Sequence, residues 1–172
     1  MGRYLNLGNS GFQAIRKGLY VDKTDLIEYV NSTLGTKDKL TCVSRPRRFG
    51  KSYATQMLCA YYDKSCDSQK LFHGLKISNC RDFETYLNRY NVIYLDITWF
   101  ISTVEDVRDT VKYMQQEVIN ELVEAFPAMT SEGRSLPVAL SDISDASGSR
   151  FIIIIDEWDA LLYESSKQKM MG

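Results

Sequence analysis

Residues 151–155 read Phe-Ile-Ile-Ile-Ile and run straight into Asp156-Glu157. A strand with one wet face alternates apolar and polar residues. An unbroken β-branched run suits a parallel strand covered on both faces, and parallel strands need helical crossovers between them. The rest of the chain supplies matching pieces. Leu40 to Ser44 reads as a buried strand, followed by a helix from Ser52 to Tyr62 in which Ala54, Met57, Leu58, Tyr61 and Tyr62 repeat at helical spacing. Phe83, Tyr86, Leu87 and Tyr90 mark a small helix before a second strand, Val92 to Ile97, whose terminal Asp96 reads as a helix cap or loop anchor rather than a site residue. A capping-box pattern at Ser102 to Asp106 opens a long helix carrying Val104, Val107, Val111, Met114, Val118, Leu122 and Phe126, closed by Pro127. That stripe reads as packing on the sheet, with a partner helix as the alternative. Met129 to Ser135 is polar and reads as a loop, and Pro137 to Ser147 as a last helix stopped by Gly148. The expected fold is α/β, a three-layer sandwich with a mostly parallel sheet and right-handed crossovers.

Two segments of this pattern carry chemistry. Arg45-Pro46-Arg47-Arg48-Phe49-Gly50-Lys51-Ser52 lies between the first apolar run and the following helix. Strand, loop ending Gly-Lys-Ser, and helix are the order in which backbone N–H groups and a helix dipole converge on phosphate oxygens while a lysine reaches the outer phosphates. Arg45 stands where the general GxxxxGK[ST] pattern has its first glycine, leaving Gly50 to take a backbone geometry closed to other residues and Pro46 to help the loop turn. The second segment is the carboxyl end of the isoleucine strand, the edge at which open α/β sheets bind ligands. Its plain alternative is a core strand ending in a solvated acidic turn.

With 172 residues, 44% of them hydrophobic, the chain is long enough for one substantial core. Twenty-one Lys and Arg against 22 Asp and Glu give no overall positive field to recruit nucleic acid, so the compact Arg45, Arg47, Arg48, Lys51 cluster fits a triphosphate better than a duplex. Cys42, Cys59, Cys66 and Cys80 show no CxxC spacing, which argues against zinc. Cys42 and Cys59 read as small hydrophobes, and the single histidine, His73, as structural. No targeting signal or membrane-length apolar run is present, and the expected location is cytoplasmic.

The segments Gly11-Phe12 with Ile15-Arg16, Tyr20 to Ile27 (YVDKTDLI), Ser44 to Ser52 (SRPRRFGKS) and Phe151 to Leu161 (FIIIIDEWDAL) together resemble the bacterial AAA-ATPase-like family, relatives of the STAND-type signalling ATPases. Arg45 in the first glycine position belongs to that family's version of the phosphate loop, and Phe151 to Glu157 looks like its Walker B strand. The resemblance implies ATP and Mg²⁺ as ligands. Arg45, Pro46, Arg47, Arg48, Phe49, Gly50, Lys51, Ser52 and Tyr53 would form the nucleotide site, with Ser52 and Asp156 on the metal. Lys51 and Glu157 would be the catalytic pair, the lysine on the β- and γ-phosphates and the carboxylate on the attacking water. Tyr20 to Asp22 would lie near the adenine or under a lid. Read on its own, the same stretch is a helix start with Thr24 or Asp25 as cap. By the same resemblance a further strand normally separates the phosphate-loop strand from the Walker B strand. Residues 1–172 are therefore expected to be the N-terminal part of such a domain, completed by a C-terminal region or a partner chain, because dry unpaired strand edges cost roughly 1–3 kcal/mol per group. A non-catalytic nucleotide-binding or protein-interaction module is the alternative.

Overall fold

The computed structural model describes residues 2–44, 50–128 and 135–164. In chain order these form α1 (Ser10–Arg16), α2 (Asp25–Thr33), α3 (Lys51–Tyr62), α4 (Gln69–Phe72), α5 (Phe83–Tyr86), β1 (Asn91–Asp96), α6 (Ile97–Thr103), α7 (Thr110–Ala125), α8 (Leu136–Ser147) and β2 (Phe151–Asp156), with 3₁₀ turns at Lys76–Asn79 and Val107–Asp109. Among these residues the architecture is mixed α/β, mostly helical, around one small parallel sheet. β1 and β2 pair from Asn91↔Phe151 to Asp96↔Asp156, so the two strands end level with each other.

The pleat of this strand pair divides the core in two. Val92 and Ile154 join Phe12, Ile27, Met57, Tyr61, Tyr62 and Phe72 on one face. Ile93 and Leu95 join Phe100, Val118, Ile119, Leu122, Ala139 and Ile143 on the other. The chain start guards the outer edge of β1: Asn6 N donates to the Val92 carbonyl at 2.8 Å and Tyr94 N to the Tyr4 carbonyl at 2.9 Å. The Glu121 carboxylate of α7 then accepts from Tyr4 N and Leu5 N at 2.9 and 3.0 Å, fixing that segment to the second helical layer.

Several expectations meet a different structure. Leu40 to Ser44 forms no strand; Leu40 is 90% exposed and Cys42 is exposed as well. A strand needs a neighbour to form a ladder, and no described strand lies alongside this segment to supply one. β2 is covered on one face only, with Ile153 45% and Ile155 48% exposed, because the α6–α8 layer covers Ile93 and Leu95 of β1 and reaches β2 at Phe151. The capping-box residues Ser102 and Thr103 close α6 instead of opening α7, their hydroxyls donating back to the Trp99 carbonyl. The long helix starts later, at Thr110, which leaves Val111 of the expected stripe exposed. Asp96 is a helix cap, accepting from Thr98 N at 2.9 Å and from its hydroxyl at 2.6 Å. Residues 129–134, read as loop, lie outside the described residues. Among those described, no helix is long and apolar enough to cross a membrane.

A buried polar knot ties α2 to α3. Asn31, 2% exposed, accepts from Tyr62 OH at 2.7 Å and donates to Tyr61 OH at 3.3 Å, while Tyr61 OH donates to the Phe83 carbonyl at 2.8 Å. Burial pushes both tyrosine hydroxyls well above the ordinary range, so they stay protonated donors. Asn31→Ala leaves the Tyr62 hydroxyl dry and is expected to lower stability by about 2 kcal/mol in urea denaturation, against less than about 0.5 kcal/mol for Gln116→Ala on the exposed face of α7.

Candidate functional site

α3 begins where Gly50 takes φ 75° and ψ 36°, the left-handed region that costs other residues about 1 kcal/mol or more. Gly50 still serves the helix, its carbonyl accepting from Ala54 N at 3.1 Å. Lys51 is therefore the first helical residue, and the first turn of α3 contains no acidic side chain. The positive end of the helix dipole and a lysine thus coincide. The Lys23 ammonium lies close by, 2.7 Å from where a β-carbon at position 50 would stand.

Lys23, Gly50 and Lys51 border one cavity of about 470 Å³, completed by Asp22, Asp25, Leu26, Val43 and Ala54. Its acidic members are engaged on the α2 side. Burial works against ionisation of Asp22, but hydrogen bonds from Lys76 N at 2.9 Å, Thr24 N at 2.9 Å and the Thr24 hydroxyl at 2.7 Å outweigh it and hold this carboxyl below the usual range. Asp25 pairs with Lys76 at 2.6 Å. Thr24 sits at the start of α2, as the helix-start reading expects, yet its hydroxyl spends its acceptor on Ile77 N at 3.1 Å instead of capping the helix. Tyr20 packs edge-on against Phe12, with its hydroxyl donating to Met57 Sδ.

β2 delivers the acidic end of the site. Asp156 is 5% exposed. Its Oδ1 accepts from Glu157 N at 3.0 Å, and its Oδ2 lies 3.3 Å from Tyr94 OH and 3.2 Å from the Thr55 hydroxyl. Thr55 sits one turn into α3 and also reaches the Ser52 carbonyl at 2.9 Å, so its single proton is shared between two acceptors. Burial, then the nearby Asp156 charge, push the Tyr94 hydroxyl far above its ordinary range, and it remains a donor to this carboxylate. Cys59, one turn further along α3, is likewise pushed up by burial and by the charges of Asp63 and Asp156; it is the inert hydrophobe expected of it. Glu157 follows at φ 52°, a left-handed backbone uncommon for a glutamate, of the kind that collects at functional sites.

The packing of α3 on β2 thus brings Asp156 to the helix whose first turn holds Lys51 and Ser52, with Thr55 between. Ser52 and Tyr53 are exposed and Lys51 is half-buried. Arg45, Pro46, Arg47, Arg48 and Phe49 lie outside the described residues. Thr55 and Lys23 were not singled out from sequence. Thr55 is recoverable from spacing, three residues after Ser52 on the same helical face; Lys23 stands inside the YVDKTDLI segment that carries the family resemblance, but only the fold brings it to Gly50. The donor set suits a hard cation, with a buried carboxylate and hydroxyl oxygens, and among the described residues no group of three His, Cys, Asp or Glu assembles. Mg²⁺ needs no such cage, since it keeps waters and is completed by substrate phosphates.

No curated protein and no solved structure showed a significant match to the chain. A family model does: the one described as Predicted AAA-ATPase matches residues 6–171, which takes in the Lys23 segment, the Gly50–Ser52 turn and the acidic end of β2. By that match, spanning almost the whole sequence, the chain belongs to the predicted AAA-ATPase family.

Proposed function

We propose that the protein binds ATP with Mg²⁺ and hydrolyses it to ADP and phosphate. One observation carries this reading: a buried strand-end carboxylate, Asp156, meets through Thr55 the same helix whose first turn presents Gly50, Lys51 and Ser52. Family membership and the cavity bordered by Lys51 support it. In this proposal the strand pair belongs to the mostly parallel sheet of a three-layer P-loop sandwich, and the helices on both of its faces support that view.

Arg45, Pro46, Arg47, Arg48 and Phe49 would form the loop around the phosphates, with Gly50 giving close backbone approach and Tyr53 beside it. The Lys51 ammonium would bind β- and γ-phosphate oxygens. The Ser52 hydroxyl and Asp156 would hold the cation, which when bound neutralises charge on the bridging phosphates. Glu157 would orient a water and accept its proton as the water oxygen bonds to the γ-phosphorus and the bond to the β–γ bridging oxygen breaks. A second reading, nucleotide binding without turnover, draws on the fact that both Asp156 oxygens already accept hydrogen bonds, from Glu157 N on one side and from the hydroxyls of Thr55 and Tyr94 on the other.

Phosphate release and nucleotide affinity measured side by side separate the two. Glu157→Gln is expected to keep ATP affinity within about threefold and to lose turnover by about 100-fold or more; unchanged turnover removes Glu157 from its role, and ATP binding without phosphate release from the unsubstituted protein favours the second reading. Lys51→Ala is expected to weaken ATP at least tenfold in calorimetric titration. Thr55→Val removes the link between Asp156 and α3 and is expected to raise the Mg²⁺ concentration needed for half-maximal turnover several-fold while thermal stability falls by about 1 kcal/mol.

A further inference from the structure

We propose that Lys23, from the segment leading into α2, is a second phosphate-binding cation of this site, acting beside Lys51 on the outer phosphates of a nucleoside triphosphate. The proposal rests on the ATP reading and extends it to a residue outside the phosphate loop.

Its geometry is specific. Lys23 Nζ lies beside Gly50, 2.7 Å from where a β-carbon at that position would stand. Lys23 and Lys51 border the same cavity, together with Gly50. The base of the Lys23 side chain is held by a fixed frame: Lys23 N donates to Tyr20 OH at 3.3 Å, its carbonyl accepts from Leu26 N at 3.1 Å, and its neighbour Thr24, fully buried, is anchored to Ile77 N. A lysine on such a frame loses less freedom on binding than one on a loose loop.

Charge favours an anion here. Asp25 is neutralised by Lys76, Asp22 is turned toward the donors of Thr24 and Lys76, and the first turn of α3 adds no carboxylate. Two lysines and the amino end of a twelve-residue helix thus border one cavity, with Leu26, Val43 and Ala54 as its apolar lining. A ligand with more phosphate charge gains more from a second cation. Lys23 is accordingly assigned to discriminate triphosphate from monophosphate.

The test is calorimetric titration of the unsubstituted protein, Lys23→Met, Lys23→Arg and Lys51→Ala with ATP, ADP and AMP, with thermal unfolding of each ligand-free variant as a control on folding. Lys23→Met is expected to weaken ATP about tenfold or more and AMP by less than twofold, at an unfolding temperature close to that of the parent, and Lys23→Arg to recover part of the loss. Wild-type ATP affinity in Lys23→Met, in a protein where Lys51→Ala is impaired, overturns the role of Lys23 and leaves the ATP reading standing. Equal weakening of ATP and AMP also overturns it, because a merely structural lysine would act on both. A parent protein that binds no nucleotide removes the ATP reading and this assignment together.

Discussion

The contact between Asp156 at the end of β2 and Thr55 in α3 is what makes the two halves of the site one place. Asp156 is buried, and a buried carboxylate is tolerable only when its oxygens are matched by donors. Here the donors come from three different elements: Thr55 from α3, Tyr94 from β1 and the backbone of Glu157. The Thr55 bond therefore adds a polar contact to the packing of Met57, Ala60 and Tyr61 in holding α3 against the sheet.

The far end of α3 is anchored independently. Tyr61 and Tyr62 sit in an aromatic cluster with Phe72, Phe83 and Tyr90, and Asn31 of α2 closes their hydroxyl bonds. A helix fixed at its carboxyl end by a core and at its middle by Thr55–Asp156 can present an amino end crowded with positive charge. Lys51 stands at that amino end and Lys23 borders the same cavity, where an anion would meet both side chains and the helix dipole.

Much of this was legible from residue patterns, and the failures have causes. The isoleucine run marked a parallel strand, and Gly148 ended α8 in the left-handed conformation that a glycine stop implies. Lys51 to Tyr62 became a helix within one residue of the expected start. The pattern could not distinguish a strand from an exposed irregular segment at Leu40 to Ser44, because strand formation depends on a neighbour that local sequence does not encode. It also placed the capping-box residues before the wrong helix: serine and threonine hydroxyls satisfy backbone groups at either end of a helix, and here they closed α6. In the site, Gly50, Lys51, Ser52, Asp156 and Glu157 were visible as motifs. Thr55 was not, and Lys23 was visible only as part of the YVDKTDLI segment, since their contacts run across 101 and 27 positions of the chain.

The central claim is that one cavity, flanked by Gly50–Lys51 and joined through α3 to Asp156, receives a nucleoside triphosphate. Thermal unfolding of the unsubstituted protein across a Mg-ATP titration tests it most directly. Ligand at a hundredfold over its Kd adds about 2.7 kcal/mol, which for a chain of this size corresponds to a rise in Tm of about 5–10 °C, growing with ATP concentration and smaller for AMP. A Tm that stays flat through millimolar Mg-ATP and ADP contradicts the account.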